Sequence, residues 1–259
     1  MHDDSLAPLD VEALRRALVG LPLGARVVYL PEVGSTNTQA SELARGGAAE
    51  GTLVTTDYQT AGRGRVGRVW RERPYQQLAL SLILRPSFPP HYLVMASALA
   101  VVEAIEAVTG AQAEIKWPND ALLGGRKVCG ILIEVSEGVA ILGIGVNVNG
   151  ELGDDPELRD RATTLAAALG HPVSREALAV EALRRLAARY AALQAGGEAA
   201  RWAVRSEWRA RLVTLGRRTT IRQRETTLEG LAEDVDDEGA LLLRRDDGQL
   251  KTVLWGDVE

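Results

Sequence analysis

Residues 113–148 read AEIKWPNDALLGGRKVCGILIEVSEGVAILGIGVNV, and the fold turns on how that run divides. Three strands fit it, Ala113–Trp117, Lys127–Val135 and Val139–Val148, with turn formers at Gly124-Gly125 and Ser136-Glu137-Gly138 between them. Links this short join antiparallel neighbours, so the run predicts a meander. A hairpin at Gly124-Gly125 sets Asp120 and Lys127 on neighbouring strands with Lys116 close by. An acid and two ammonium groups in one neighbourhood suit a phosphate with Mg²⁺. Chance placement of two lysines is the plainer alternative.

Working outward, Leu78, Leu80, Leu82 and Leu84 alternate in period two and mark a strand. Val94, Ala98, Val101, Ile105 and Val108 recur at spacings of four and three, which predicts a core helix from Pro90 to Gly110 with one buried face. Its apolar stretch, Leu93–Val102, is interrupted by Ser97 and stops at Glu103, short of the roughly 20 residues of a membrane span. Nearer the start, a helix over 10–19 is capped by Asp10 and stopped by Gly20, and a strand covers Arg26–Leu30. Ser35-Thr36-Asn37-Thr38 caps a helix over 39–44 that ends at Gly46-Gly47, and Leu53-Val54 begins another strand.

Downstream, Ala179, Leu183, Leu186, Tyr190 and Leu193 share one face of a helix over Ser174–Leu193, and a further helix covers Glu198–Trp208. Beyond Leu212 the texture changes to short strands: Thr219–Arg222, Thr227–Val235, Ala240–Arg244 and Gln249–Trp255. These predict a small barrel-like β module that needs the main domain for stability.

The chain has 259 residues, 46% apolar and 25% charged, an ordinary globular composition that excludes a disordered or fibrous protein. A net charge of -5 provides no global basic field for nonspecific nucleic-acid binding. Cys129 is the single cysteine, which rules out an internal disulfide and a multi-cysteine metal site and suits a reducing cytoplasm. Flanked by Val128 and Gly130, it reads as core. The start, Met1-His2-Asp3-Asp4, is acidic where a signal peptide is basic. The three histidines lack metal-ligand spacing.

Residues 59–70, QTAGRGRVGRVW, interleave three glycines with three arginines. Such a loop offers close backbone approach, exposed amides and guanidinium forks for carboxylate or phosphate oxygens. A solvated basic loop is the bland reading. Of the 30 basic residues 27 are arginine, and two of the three lysines, Lys116 and Lys127, fall in the meander, where a compact point charge has a use. Trp70 beside the loop suits stacking on a base, although a lone tryptophan more often fills a core. Asn147 and Asn149 share a strand face and either line a site or cap the strand end.

Taken together, STN at Ser35–Asn37, GRGRVGRVW at Gly62–Trp70, KWPND at Lys116–Asp120, KVCGILIE at Lys127–Glu134 and GIGVNVN at Gly143–Asn149 resemble the motifs of biotin protein ligases. The resemblance spans about residues 26–259 in the family's order, including Asp247-Gly248 and Gly256-Asp257-Val258 in the last module. It implies an α/β (α+β) fold: a mixed, largely antiparallel sheet flanked by helices, followed by a small SH3-like β-barrel. The implied divisions are a helical extension over 1–25, a biotin- and ATP-binding catalytic domain over 26–210 and the β module over 211–259.

The resemblance also assigns roles. Ser35, Thr36, Asn37 and Gln59 would meet the ureido head of biotin, while Gly62, Arg63, Gly64 and Arg65 form the loop closing over its activated carboxylate. Arg68, Lys116 and Lys127 would hold phosphate and acyl oxygens, Trp70 would stack on adenine, and Asn119 and Asn149 would serve the nucleotide. Arg65, Lys116, Asp120 and Lys127 would carry the chemistry, with Asp120 also at Mg²⁺ or at the acceptor amine. The partner implied is a biotin carboxyl carrier protein, with biotin and ATP as substrates.

One departure is the run Arg71-Glu72-Arg73-Pro74-Tyr75-Gln76-Gln77, where the family carries a glycine-containing stretch. Another is the short stretch before the first strand, too small for the winged helix of bifunctional relatives, which predicts no specific DNA binding. A monomer or a homodimer through a sheet edge is expected. The rivals are a lipoate ligase on the related fold, a biotin-responsive repressor and a noncatalytic scaffold.

Overall fold

The structure is a computed structural model that describes residues 6–152, 160–224 and 226–258. Helix α1, Val11–Ala17, is capped by Asp10, whose side chain accepts from the Ala13 amide at 2.8 Å. Strand β1, Arg26–Val33, runs parallel to β2, Thr52–Gln59, and α2, Thr36–Arg45, links them. Antiparallel β3, Gln77–Leu84, follows, and α3, His91–Thr109, carries the chain to the far edge of the sheet. There β4, Glu114–Lys116, β5, Asp120–Leu123, β6, Arg126–Ser136, and β7, Val139–Asn147, return as an antiparallel meander that closes on β3. The resulting seven-stranded order is β1-β2-β3-β7-β6-β5-β4.

The meander appears as expected, with one strand more. The sequence reading passed over β5, which is four residues long and begins two residues after Pro118. Gly124 and Gly125 both take positive φ, 58° and 76°, as a two-residue hairpin turn of matching twist requires.

Period-two alternation divides the sheet into two unlike faces. Leu78, Leu80, Leu82 and Leu84 of β3 and Leu142, Ile144 and Val146 of β7 are buried in the main core with residues of α1, α3 and α5, Arg175–Gln194. On the opposite face lies α2, where Ala40 packs on Val54, Ile83 and Ile141. The expected single buried stripe on α3 proves too narrow: Leu93 and residues 95–102 are all buried, because the sheet lies on one side while α5 and α6, Glu198–Ala210, lie on the other. Among the described residues α3 is the one helix long and apolar enough to cross a membrane, and here it is a core helix. Two helix starts differ in detail. Ser174 caps α5 by accepting from the Ala177 amide, whereas α2 begins at Thr36, so Thr36 and Asn37 lie inside its first turn.

After a short α4, Leu165–Leu169, and the two long helices, residues 211–213 run beside β4 through the pairs Ile115–Arg211 and Val213–Ile115, at 3.1 and 3.0 Å. The second sheet then forms from β8, Arg218–Arg222, β9, Thr227–Val235, β10, Leu241–Arg244, β11, Leu250–Val253, and β12, Asp257–Val258, in the order β11-β10-β9-β8-β12. Among the described residues β11 and β12 do not pair, so the expected barrel is an open five-stranded antiparallel sheet; β12, two residues long, is too short to close it. Trp117 couples the sheets, its indole N–H donating to the Gly239 carbonyl at 2.9 Å.

Candidate active site

The site occupies the part of the sheet that α2 leaves uncovered. Register places Ala79 opposite Gly145, Gly145 opposite Gly130, Gly130 opposite Asp120, and Asp120 opposite Lys116. Paired residues share a face, so this row forms a floor without bulk that ends in an acid and an ammonium. The neighbouring row, Ser81 opposite Gly143, widens it. A Cβ on Gly145 would lie 2.8 Å from the Trp70 ring, and one on Gly143 would lie 2.3 Å from the Asn37 amide. Both positions therefore exclude a side chain because polar and aromatic groups press directly on the backbone.

At one end stands a buried hydrogen-bond network. Thr36 donates its backbone N–H and its hydroxyl to Gln59 Oε1 at 2.8 and 3.0 Å, and the Ser81 hydroxyl lies 2.8 Å from Thr36 Oγ1 and 2.6 Å from Asn37 Oδ1. Asn37 Nδ2 and Arg63 Nη2 both donate to Glu134 Oε2, at 2.9 and 2.8 Å, which ties α2, the arginine loop and β6 together.

The arginine loop arches over the floor. The Trp70 N–H donates to the Gly62 carbonyl at 2.9 Å and the Gly64 N–H to the Arg68 carbonyl at 2.7 Å, with a single 3₁₀ turn, Arg65–Gly67, at the crest. Arg65 donates to the Asn119 side chain and, at 3.1 Å, to the Gly256 carbonyl of the second sheet. Arg68 pairs with Asp257 at 2.6 Å. The C-terminal sheet thus supplies part of the roof. Desolvation lowers the pKa of the Arg65 guanidinium, with Asp257 and Asp120 opposing that shift.

The other end is charged. A bulge at Val128 of β6, opposite the Ala121–Leu122 step of β5, brings Lys127 beside Asp120, Nζ to Oδ1 2.6 Å, and the same ammonium lies 5.9 Å from the Trp70 ring centroid. Burial lowers the Lys116 pKa; Asp120 and Asp257 oppose the shift, and Lys127 and Arg161 add to it. Asn119 is held by its own amide, which donates to the Ile131 carbonyl at 2.5 Å.

Ser35, Thr36, Asn37, Gln59, Arg63, Gly64, Arg65, Arg68, Trp70, Asn119, Asp120 and Lys127 thus line one cavity. Lys116 adjoins it through Asp120, and Gly62 closes the base of the loop. Asn149, expected at a nucleotide edge, is not among the residues that line this cavity. Its amide is clasped to the Val173 backbone, donating and accepting at 2.9 Å each, and so caps the end of β7. Cys129 is fully buried as core, and burial raises its thiol pKa. Ser81, Glu134, Asp257 and Glu72 were not singled out from sequence. Glu134 and Asp257 lay within quoted motifs, and Ser81 is the polar position between alternating leucines, a signal that was there to be used.

Comparison with known proteins agrees with this geometry. Residues 29–151 match the biotin/lipoate A/B protein ligase family and residues 214–259 match the biotin protein ligase C-terminal domain. The chain is 35% identical over 262 residues to a biotin--[acetyl-CoA-carboxylase] ligase of Mycobacterium tuberculosis, covering 97% of this chain and 95% of that one. It is 38% identical over 246 residues to the bifunctional ligase/repressor BirA of Bacillus spizizenii, covering 92% and 74% of the two. The biotin protein ligase of Aquifex aeolicus in complex with biotin and ATP superposes with a TM-score of 0.79 at 29% identity, covering 90% of this chain and 97% of that one. The chain belongs to the biotin/lipoate protein ligase family. Within it, the matched C-terminal domain and these relatives place it among the biotin protein ligases.

Proposed function

We propose that the protein activates biotin with ATP to biotinyl-5′-AMP and transfers the biotinyl group to a lysine of a biotin carboxyl carrier protein. One observation carries the reading: a trough with a buried hydrogen-bond network at one end, a floor of Gly143, Gly145 and Gly130, and the Arg65–Lys116–Lys127 cations at the other. A ligand with a polar ring head, an apolar chain and an anionic tail matches that sequence of surfaces.

In the first step a carboxylate oxygen attacks the α-phosphorus, a new O–P bond forms, and pyrophosphate leaves with the electrons of the bond that breaks. Two anions meet, and Lys127, Lys116 and Arg65 offset their repulsion. Arg68 binds the phosphates, Asn119 supports Arg65, and Trp70 stacks on adenine with the ring face turned away from the floor. The cavity measures about 130 Å³ with Trp70 laid across the glycines, below the roughly 300 Å³ of ordinary ligand pockets, so the loop shifts as ligands enter. Its re-closure excludes water from the mixed anhydride.

In the second step the acceptor amine attacks the acyl carbon, AMP leaves, and the amine's proton passes to Asp120. Mg²⁺ fits this site as an ion carried mainly by the triphosphate and water. Asp120 and Asp257 are the carboxylates lining the cavity, each already paired with a cation, and no cluster of three metal-ligating side chains occurs among the described residues. We place the protein in the cytoplasm, a reducing compartment that suits its single, unpaired cysteine.

Mass spectrometry of a biotin carrier domain incubated with the protein, ATP, Mg²⁺ and either biotin or lipoate tests the reading. The expected product carries one biotinyl group. Lipoylation without biotinylation would assign the protein to the other branch of its family.

A further inference from the structure

The segment after Trp70, which departs from the family's pattern, returns beneath the hydrogen-bond network through Glu72. Its carboxylate accepts from both nitrogens of Gln59, from Nε2 at 2.6 Å and from the backbone N–H at 2.9 Å. A carboxylate so placed can only accept, so it fixes which way the Gln59 amide points. The amide oxygen must then face Thr36, where it receives the N–H and the hydroxyl, and the Thr36 hydroxyl proton is committed to Gln59. The remaining lone pairs of Thr36 Oγ1 are left to accept, and the single proton of the Ser81 hydroxyl is shared between Thr36 Oγ1 at 2.8 Å and Asn37 Oδ1 at 2.6 Å, both acceptors toward it. Turning the Gln59 amide over would set its NH₂ against the Thr36 N–H and its oxygen against the Glu72 carboxylate, two repulsive contacts in a buried network.

We propose that Glu72 is a positioning residue that sets the polarity of the Glu72–Gln59–Thr36 chain, so that Thr36, its member lining the cavity beside Gln59, accepts an N–H donor and thereby selects a cyclic urea. The inference rests on the biotin reading above and deepens it. A cyclic urea presents N–H groups to such a chain, whereas the dithiolane of lipoate has none to offer. Selection between the two ligands then resides in the direction of a hydrogen-bond chain and not in the width of the pocket.

Biotin-dependent ATP–pyrophosphate exchange by the full chain tests this without a carrier. Glu72→Gln removes the acceptor-only anchor and permits the turned-over amide. It is expected to raise the KM for biotin about tenfold, the scale of one hydrogen bond in a buried network, while kcat and the KM for ATP stay within about twofold. The same factor is expected with desthiobiotin, which keeps the urea and lacks the thiophane ring, and Glu72→Asp should recover part of the loss. In a Gln59→Ala background the Glu72→Gln change should add less than about twofold, because the effect passes through Gln59. An unchanged KM for biotin, an equal rise in the KM for ATP, a penalty absent with desthiobiotin, or full additivity with Gln59→Ala overturns the inference. Should Glu72→Gln not fold, Glu72→Asp alone and combined with Gln59→Ala decides by the same criteria. A wild-type protein inert toward biotin overturns the functional reading as well, whereas an active wild type with an indifferent Glu72→Gln overturns only this one.

Discussion

The Lys127 ammonium donates to the Asp120 carboxylate at 2.6 Å across a bulged pair of strands, so the proposed acyl-binding cation and the proposed base neutralise one another in the resting site. Binding of an acyl phosphate gives Lys127 a second anion and frees Asp120 for the incoming amine. Asp120→Asn should therefore slow transfer to the carrier by roughly 100-fold, the scale of general base catalysis, while the burst of adenylate persists within a few-fold. Single-turnover assays that separate the two steps check this, and equal loss in both would remove Asp120 from the role of base.

Arg65 joins the loop both to Asn119 and to Gly256 of the second sheet. Cutting both ties with Arg65→Ala should leave the adenylate poorly retained, so that free biotinyl-5′-AMP appears in solution and hydrolyses. Chromatography of the reaction supernatant reads this directly; an adenylate retained as in the wild type would show that the loop closes without Arg65.

Burial holds the pKa of Lys116 below the ordinary lysine value of 10.5. The protonated form is the one that binds phosphate, so activity lost on deprotonation disappears as pH rises through that lowered pKa. The alkaline limb of kcat/KM for ATP, which reports the free enzyme, is expected below pH 10.5, and Lys116→Arg should move it upward because guanidinium stays charged. A limb that stays in place in Lys116→Arg would assign it to another group.

A methyl group on Gly145 would stand 2.8 Å from the Trp70 ring. Gly145→Ala should lift Trp70 from the floor and raise the KM for biotin at least about tenfold, at a stability cost of about 1–3 kcal/mol from overpacking. Exchange kinetics with a thermal melt separate the two effects, and unaltered kinetics would mean that the floor has room to spare.

Arg175 and Asp57 form a buried ion pair at 3.0 Å, and the same pair holds the N-terminal segment through the Ala7 carbonyl and the Leu9 amide. Arg175→Ala leaves Asp57 buried without its counter-charge and should cost about 3–5 kcal/mol in urea unfolding. Residues near α1 should also become sensitive to protease. A loss under about 1 kcal/mol would show that Tyr29 and the Leu9 amide suffice for Asp57.

The elements that repeat along the chain were legible in the sequence. The alternating leucines of β3 and the four-and-three spacing on α3 state their type through period alone. What misled was local in origin. Asp120–Leu123 is too short to show a period, and the capping run at Ser35 hid three residues, Thr36, Asn37 and Thr38, that enter the helix. Glu72 was invisible for another reason: nothing near it in sequence indicates that it turns back under Gln59, thirteen residues earlier.

From its sequence alone this protein was determined as to family, element types and the chemical inventory of its motifs, because those reside in residue identity and short-range spacing. Only the tertiary structure decided that Ala79, Gly145, Gly130, Asp120 and Lys116 form one row, taken from five strands whose order in the sheet is not their order in the chain. It also decided that Asp257 and Gly256 of a second sheet complete the roof. The physical reason is that strand register depends on bulges and on which distant faces are buried together. A single residue of slip would turn every one of those side chains to the opposite face.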